Sequence, residues 1–177
     1  MQSIIARPLA EFLALPNIEA SPAWEFINGT ACQKIMPTLY HSRLQRNLVN
    51  WMNQNTDQYE AIQELRCIIS PISPVPDIAV IAIDRLPQTD GPFAGAPDWV
   101  VEIRSPDQNI LDLQNKILHC LTNSTQLAWL IYIQREQIWV WQAEELPIVY
   151  AGNDILPRLA GFPEINVVTV IAMTQQR

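Results

Sequence analysis

The chain is poor in the residues that build disulfide or zinc frameworks, with three cysteines and two histidines. Cys32, Cys67 and Cys120 are far apart, odd in number and form no C-x-x-C pair. They argue against a zinc site and read as buried thiols acting as small apolar side chains. His41 and His119 are equally distant and make no metal motif. Glycine is scarce, five residues against fourteen prolines, which points to stiff turns and many short elements. No apolar run approaches the roughly 18–20 residues of a membrane span. The N-terminus lacks the charged segment and apolar stretch of a signal peptide, so no membrane association and a cytoplasmic location are expected. Positive charge is also short: 11 Lys and Arg against 18 Asp and Glu, a formal charge of −7. That argues against a general electrostatic affinity for nucleic acid, which needs cations to neutralise phosphates. It does not exclude a nuclease, because carboxylates that hold a metal raise the acidic count and the ion restores positive charge locally.

What is present is apolar surface. Of 177 residues, 49% are apolar, enough for one domain with a hydrophobic core and too many for disorder. No repeat, low-complexity tract or linker divides residues 1–177. Leu9 to Leu15 has a short helical rhythm ended by Pro16 and reads as an N-terminal lid. Trp24 to Ile27 runs into Asn28-Gly29, a hairpin turn signal, and Thr30 to Ile35 is the return strand. Thr38 to Asn53 is helical, with Leu44, Leu48 and Trp51 on one face and Arg43, Arg46 and Asn47 off it. Ala61 to Ile69 alternates like a strand. Leu127–Ile133 and Ile138–Trp141 form a hairpin. Trp129, Trp139 and Trp141 read as an aromatic sheet face under a helix rather than a base-stacking platform. A short strand near Ile148–Tyr150, a crossing from Pro157 to Pro163 and an apolar end at Val167–Ile171 complete an α/β chain with a mixed sheet.

The chemistry concentrates between Pro76 and Cys120. After the prolines at 71, 74 and 76 comes Asp77, then the apolar strand Ile78–Ile83. The loop from Asp84 to Asp98 is long for a hairpin connection, which marks a site cover or a mobile segment. Strand Trp99–Arg104 follows. Ser105 or Asp107 is expected to cap a helix whose Ile110, Leu113, Ile117 and Leu121 face the core. If the two strands pair antiparallel, the start of the first lies beside the end of the second. Asp77 and Glu102 then meet at one edge of the sheet, and Arg104, two residues from Glu102, shares its face. Acids in buried strands are costly unless paired, and a shared cation is the cheapest pairing. Two oxygen ligands suit Mg²⁺ or Mn²⁺.

Pro76-Asp77 followed by Glu102-x-Arg104 resembles the PD-(D/E)XK nuclease superfamily, and within it a bacterial putative restriction-endonuclease family also known as a domain of unknown function. That family's P-D-x-x-V resembles Pro76 to Val80, its V-E-x-x-S-P resembles Val101 to Pro106, and its D-x-x-x-K resembles Asp112 and Lys116. Its E-x-x-x-G resembles Glu25 to Gly29, its H-S helix start resembles His41-Ser42, and its Y-W-L-V-D-like strand resembles Ala128 to Tyr132. The likeness spans about 20–142. It implies a restriction-endonuclease-like mixed sheet flanked by helices, with metal-dependent cleavage of DNA. By the same resemblance Asp77 and Glu102 bind the metal and Lys116 supplies the ammonium, because Arg104 stands where the superfamily has lysine and cannot act as a base. Arg43, Arg46, Glu25 and His41 are the remaining candidates for contact with DNA, and a homodimer is expected by analogy.

Each residue also has a plain reading. Asp77 can end a Pro-rich turn, and Asp112 with Lys116 can be a surface ion pair. His41 reads more simply as a helix-start residue than as a catalyst. Two functions therefore stay open: a Mg²⁺-dependent endonuclease, and a nuclease-like fold serving as a binding or assembly module with little catalysis.

Overall fold

The computed structural model describes residues 6–143 and 146–177. Helix α1 (Ala6–Leu13) leads to the hairpin β1 (Trp24–Ile27) and β2 (Thr30–Gln33), then to α2 (Leu39–Gln54). Strands β3 (Tyr59–Gln63), β4 (Cys67–Ile68), β5 (Ile78–Ala82), β6 (Phe93–Ala94) and β7 (Trp99–Ile103) follow. Helix α3 (Ile110–Thr122), strands β8 (Leu127–Tyr132), β9 (Gln137–Trp141) and β10 (Ile148–Ala151), and helix α4 (Val167–Ala172) complete the chain. Among the described residues no helix is long and apolar enough to cross a membrane.

The central sheet has the order β10-β9-β8-β7-β5-β3. It is mixed, because β7 and β8 run parallel while the other neighbours are antiparallel. The parallel pair needs a crossover, and α3 supplies it. Side chains alternate across the strands, so each face acquires its own core. On one face Ile78, Val80, Trp99, Val101 and Trp129 pack with Leu44, Leu48 and Met52 of α2 and with Phe162 and Val170. On the other, Ala79, Ile81, Val100 and Leu130 lie under Leu113, Ile117 and Cys120 of α3. The result is three layers, the α/β arrangement the element order implies.

The Asn28-Gly29 turn forms as expected, with φ of 50° and 75° at its two residues, the pair of positive values a type I′ turn requires. Leu9 and Phe12 of α1 pack on Phe26 of this hairpin. Trp139 and Trp141 share the α3 face, whereas Trp129 points the other way and meets Trp99 edge-on at 4.6 Å. The register explains the split: Trp129 lies opposite Val140, one step out of phase with its neighbours.

Three local expectations change. The strand expected over Ala61–Ile69 breaks into β3 and β4, because Glu64 adopts φ of 49° and Arg66 turns inward. Arg66 is buried, with its guanidinium donating to the Trp24 carbonyl at 2.6 Å and to Ser73 Oγ at 3.1 Å. Helix α3 starts later than the Ser-Pro signal suggests, with Asn109 as its cap accepting from the Leu111 N–H at 2.9 Å. Ser105 is held instead in a preceding turn, where its carbonyl accepts from the Gln108 N–H at 3.1 Å. The long loop after β5 carries a short β6 paired with β4 and lies at the far end of the strands from Asp77 and Glu102. Asp98 pins its end by accepting from the Ala82 N–H at 2.8 Å and pairing with Arg85 at 2.6 Å.

The cysteines also divide: Cys67 and Cys120 are buried and Cys32 is exposed on β2. Burial pushes all three thiols up, furthest for Cys67 and Cys120. Thiolate is the reactive form and needs access. Iodoacetamide at pH 8 is therefore expected to label one thiol slowly in the folded protein and three in denaturant, counted by intact mass. Fast labelling of a second thiol in the folded protein would contradict the burial.

Candidate functional site

The acid pair stands at one end of the sheet. β5 and β7 are antiparallel with Ile78 opposite Val101, which carries Asp77 to the position opposite Glu102. Opposite residues share a face, here the one covered by α3. Both acids are buried, Asp77 at 4% exposure and Glu102 at 1%. Asp77 Oδ2 accepts the Ile103 N–H at 2.7 Å, which ties the start of β5 to the end of β7.

Five further side chains converge there. α2 contributes His41 and Gln45, one turn apart. His41 Nε2 lies 3.2 Å from Asp77 Oδ2, and Gln45 Nε2 donates to the Asp77 carbonyl at 2.7 Å. The hairpin contributes Glu25 from β1 and Lys34 from just beyond β2. Lys34 Nζ donates to Asp77 Oδ1 at 2.8 Å and to the Val75 carbonyl at 2.8 Å. Helix α3 contributes Lys116, whose Nζ lies 2.9 Å from Glu25 Oε1 and 2.8 Å from Glu102 Oε1. Glu25 Oε1 also accepts the Val75 N–H at 2.7 Å, which docks the hairpin on the chain leading into β5.

This network settles the charge states. Burial alone would raise the Asp77 carboxyl, but the Lys34 ammonium and the His41 hydrogen bond hold it well below the usual carboxylate range. Burial lowers and Asp77 then raises both Lys34 and His41, with a net rise for each. Lys116 is raised likewise, since Glu102 and Glu25 outweigh its burial. One ammonium shared by two carboxylates under-neutralises Glu102. Burial and the nearby Asp77 and Glu25 charges, opposed by Lys116, push it up to about 7.

A cleft of about 490 Å³ opens onto the cluster, lined among others by Glu25, Lys34, Lys116, Asp107 and Asp112. Asp77 and Glu102 are not on its wall; each lies behind an ammonium. A second depression, of about 480 Å³ between Tyr40, Ile133 and Val168, contains none of these groups.

Of the candidates read from sequence, Asp77, Glu102, Lys116, Glu25 and His41 come together. Lys116 pairs with Glu25 and Glu102, and Asp112 remains exposed in the first turn of α3. Arg104 lies apart from the acids: its guanidinium covers the Tyr132 ring at 4.3 Å and its Nε donates to the Gln108 carbonyl at 3.3 Å. Arg46 is exposed and reaches the Gln176 carbonyl at 3.4 Å. Arg43 is half-buried on α2, outside the cleft lining. The residues that sequence reasoning passed over are Gln45 and Lys34, and Lys34 is the one that carries charge. A signal existed: Cys32 lies opposite Glu25 in the hairpin, so period-two alternation puts Lys34 on the Glu25 face.

The donor set fits a small hard cation. Asp77 and Glu102 supply carboxylate oxygens, and the buried Glu102 Oε1 has the Lys116 ammonium at 2.8 Å as its partner. Among the described residues no group of three or more His, Cys, Asp or Glu could hold a metal. A cation here would depend on two carboxylates plus water and substrate, the pattern Mg²⁺ tolerates.

A crystal structure of a putative nuclease belonging to DUF820 from Anabaena variabilis superposes with a TM-score of 0.86 at 33% identity, covering 94% of this chain and 98% of that one. No curated protein matches the chain. A family model matches residues 9–173, so the chain belongs to the Uma2 family, described as "putative restriction endonuclease".

Proposed function

We propose that the protein is a Mg²⁺-dependent endonuclease, able to use Mn²⁺, that hydrolyses DNA phosphodiester bonds. The observation that carries this reading is the juxtaposition of Asp77 and Glu102 on one sheet face with Lys116 beside Glu102. When bound by these two carboxylates, a divalent ion would acidify water and stabilise charge on a phosphoryl oxygen.

The rest of the work falls to the chain itself. Ile103 N–H and His41 fix the Asp77 carboxylate from one side. Lys116 holds Glu102 toward the cluster and presents a positive charge to an anion entering the cleft. Glu25 keeps that ammonium in place. Arg104, stacked on Tyr132 beyond Glu102, is a contact for the flanking phosphate backbone, with Arg43 and Arg46 as outlying contacts. Because one such site faces one strand, we place the active form as a homodimer in the cytoplasm, with two sites addressing a duplex.

The test is nicking of supercoiled plasmid. Wild type is expected to nick with Mg²⁺ or Mn²⁺ and to stop with chelator, while Glu102→Ala loses at least about 100-fold in rate. Equal traces of cutting by wild type and mutant would mean contamination and end the reading.

One observation favours a second reading, a binding or assembly module with little catalysis. Lys34 and Lys116 already oppose Asp77, Glu25 and Glu102. Calorimetry separates the two: no binding of Mg²⁺ or Mn²⁺ by folded protein supports the module.

A further inference from the structure

We infer that Lys34 is a gate cation, an ammonium that occupies Asp77 until a divalent ion displaces it and so sets the affinity of the site for metal. This rests on the metal reading above. Asp77 Oδ2 is already taken by the Ile103 N–H at 2.7 Å and by His41 at 3.2 Å. Oδ1 is the oxygen left for a cation, and Lys34 Nζ sits on it at 2.8 Å. Lys34 lines the cleft and Asp77 does not, so an ion arriving from solvent reaches Oδ1 past this ammonium.

Two cations cannot share one buried oxygen cheaply, because their repulsion is poorly screened away from water. Metal entry therefore requires the ammonium to leave. The means are present. Lys34 follows β2, whose four residues are all exposed, and reaches inward on a flexible four-carbon stem. Outside the Asp77 contact it has the Val75 carbonyl at 2.8 Å and Glu64 Oε1 at 3.8 Å, the latter on a half-exposed side chain toward which it can swing. His41 and Ile103 keep Asp77 positioned when Lys34 departs, so the carboxylate stays aimed at the site. Lys116 differs, since it is held between two carboxylates and is not opposed to Asp77 alone.

The experiment is calorimetric titration of the full chain with Mn²⁺, using wild type, Lys34→Met and Lys34→Arg, each checked by thermal melting. Lys34→Met removes the competing charge and is expected to bind Mn²⁺ at least tenfold tighter than wild type. Lys34→Arg keeps the charge and is expected to bind no tighter than wild type. If Lys34→Met does not fold, Lys34→Gln reads the same difference. Unchanged or weaker Mn²⁺ binding in the neutral variant, with measurable binding in wild type, overturns the gate and leaves the metal site standing. Absence of Mn²⁺ binding in all variants overturns the metal reading and the gate together. Metal affinity, not turnover, is the readout, so a loss of nicking for other reasons does not decide the matter.

Discussion

Lys116→Met is expected to destabilise the protein by about 3–5 kcal/mol at neutral pH, the cost of leaving buried carboxylates without their partner. Methionine preserves the unbranched stem and removes the charge that lies 2.9 Å from Glu25 and 2.8 Å from Glu102. Glu102 is 1% exposed and lies off the cleft wall, so water cannot take over that role for it. The loss should depend on pH. In wild type the Glu102 carboxyl is raised to about 7, above an ordinary Glu value of about 4.3. A raised folded-state value contributes stability at low pH that is lost as pH climbs through it. Without Lys116 the value rises further, so the mutant goes on losing stability above pH 7 after wild type has levelled. The raised Lys116 group contributes a constant amount across this range, because both its folded and unfolded forms are protonated. The gap between wild type and mutant should therefore be smaller at pH 5 than at pH 8.5 in urea melts with chelator present. A gap that is equal at both, or larger in acid, would mean that Lys116 packs without neutralising Glu102.

Asp77→Asn is expected to lower plasmid nicking by about 100- to 1,000-fold and to destabilise the fold by about 1.5–3 kcal/mol, because Lys34 loses its charge-assisted bond to the Asp77 carboxylate. The amide is the same size and can still accept the Ile103 N–H. It then turns an N–H₂ group toward Lys34, a donor against a donor, at a site where Asp77 now accepts at 2.8 Å. Adding Lys34→Met to Asp77→Asn should restore a good part of the stability and none of the nicking, since it removes the orphaned charge but returns no carboxylate. Recovery of nicking in the double variant would remove Asp77 from the metal site. Failure to recover stability would mean that Lys34 is not the principal partner of Asp77.

The two predictions share an origin in where charge sits relative to the sheet, and part of that was readable beforehand. The faces of Asp77 and Glu102 follow from strand alternation and antiparallel pairing, and the structure has both residues on the α3 face. The Leu113 and Ile117 stripe follows from helical periodicity and lies on the sheet. Other features were not readable. Arg104 has the parity of Glu102, yet its guanidinium finds the Tyr132 ring, a neighbour created by the parallel pairing of β7 and β8. Asp112 and Lys116 have the spacing of a helical ion pair, but Lys116 finds stronger partners in two buried acids. Arg66 breaks an alternating segment because its hydrogen bonds reach Trp24 and Ser73 rather than adjacent residues.

The order of residues alone determined the α/β class, the hairpin at Asn28-Gly29, the side of each strand on which an acid falls, and the family likeness carried by Asp77, Glu102 and Lys116. Those depend on local periods and short turns, which the next few residues set. Tertiary structure decided which ammonium neutralises which carboxylate: Lys34 meets Asp77 across 43 positions and Lys116 meets Glu25 across 91. Such pairings depend on strand order and on how the hairpin docks against the sheet. Buried charges choose partners by distance in three dimensions, where the low local dielectric makes a contact at 2.8 Å outweigh any nearer neighbour along the chain.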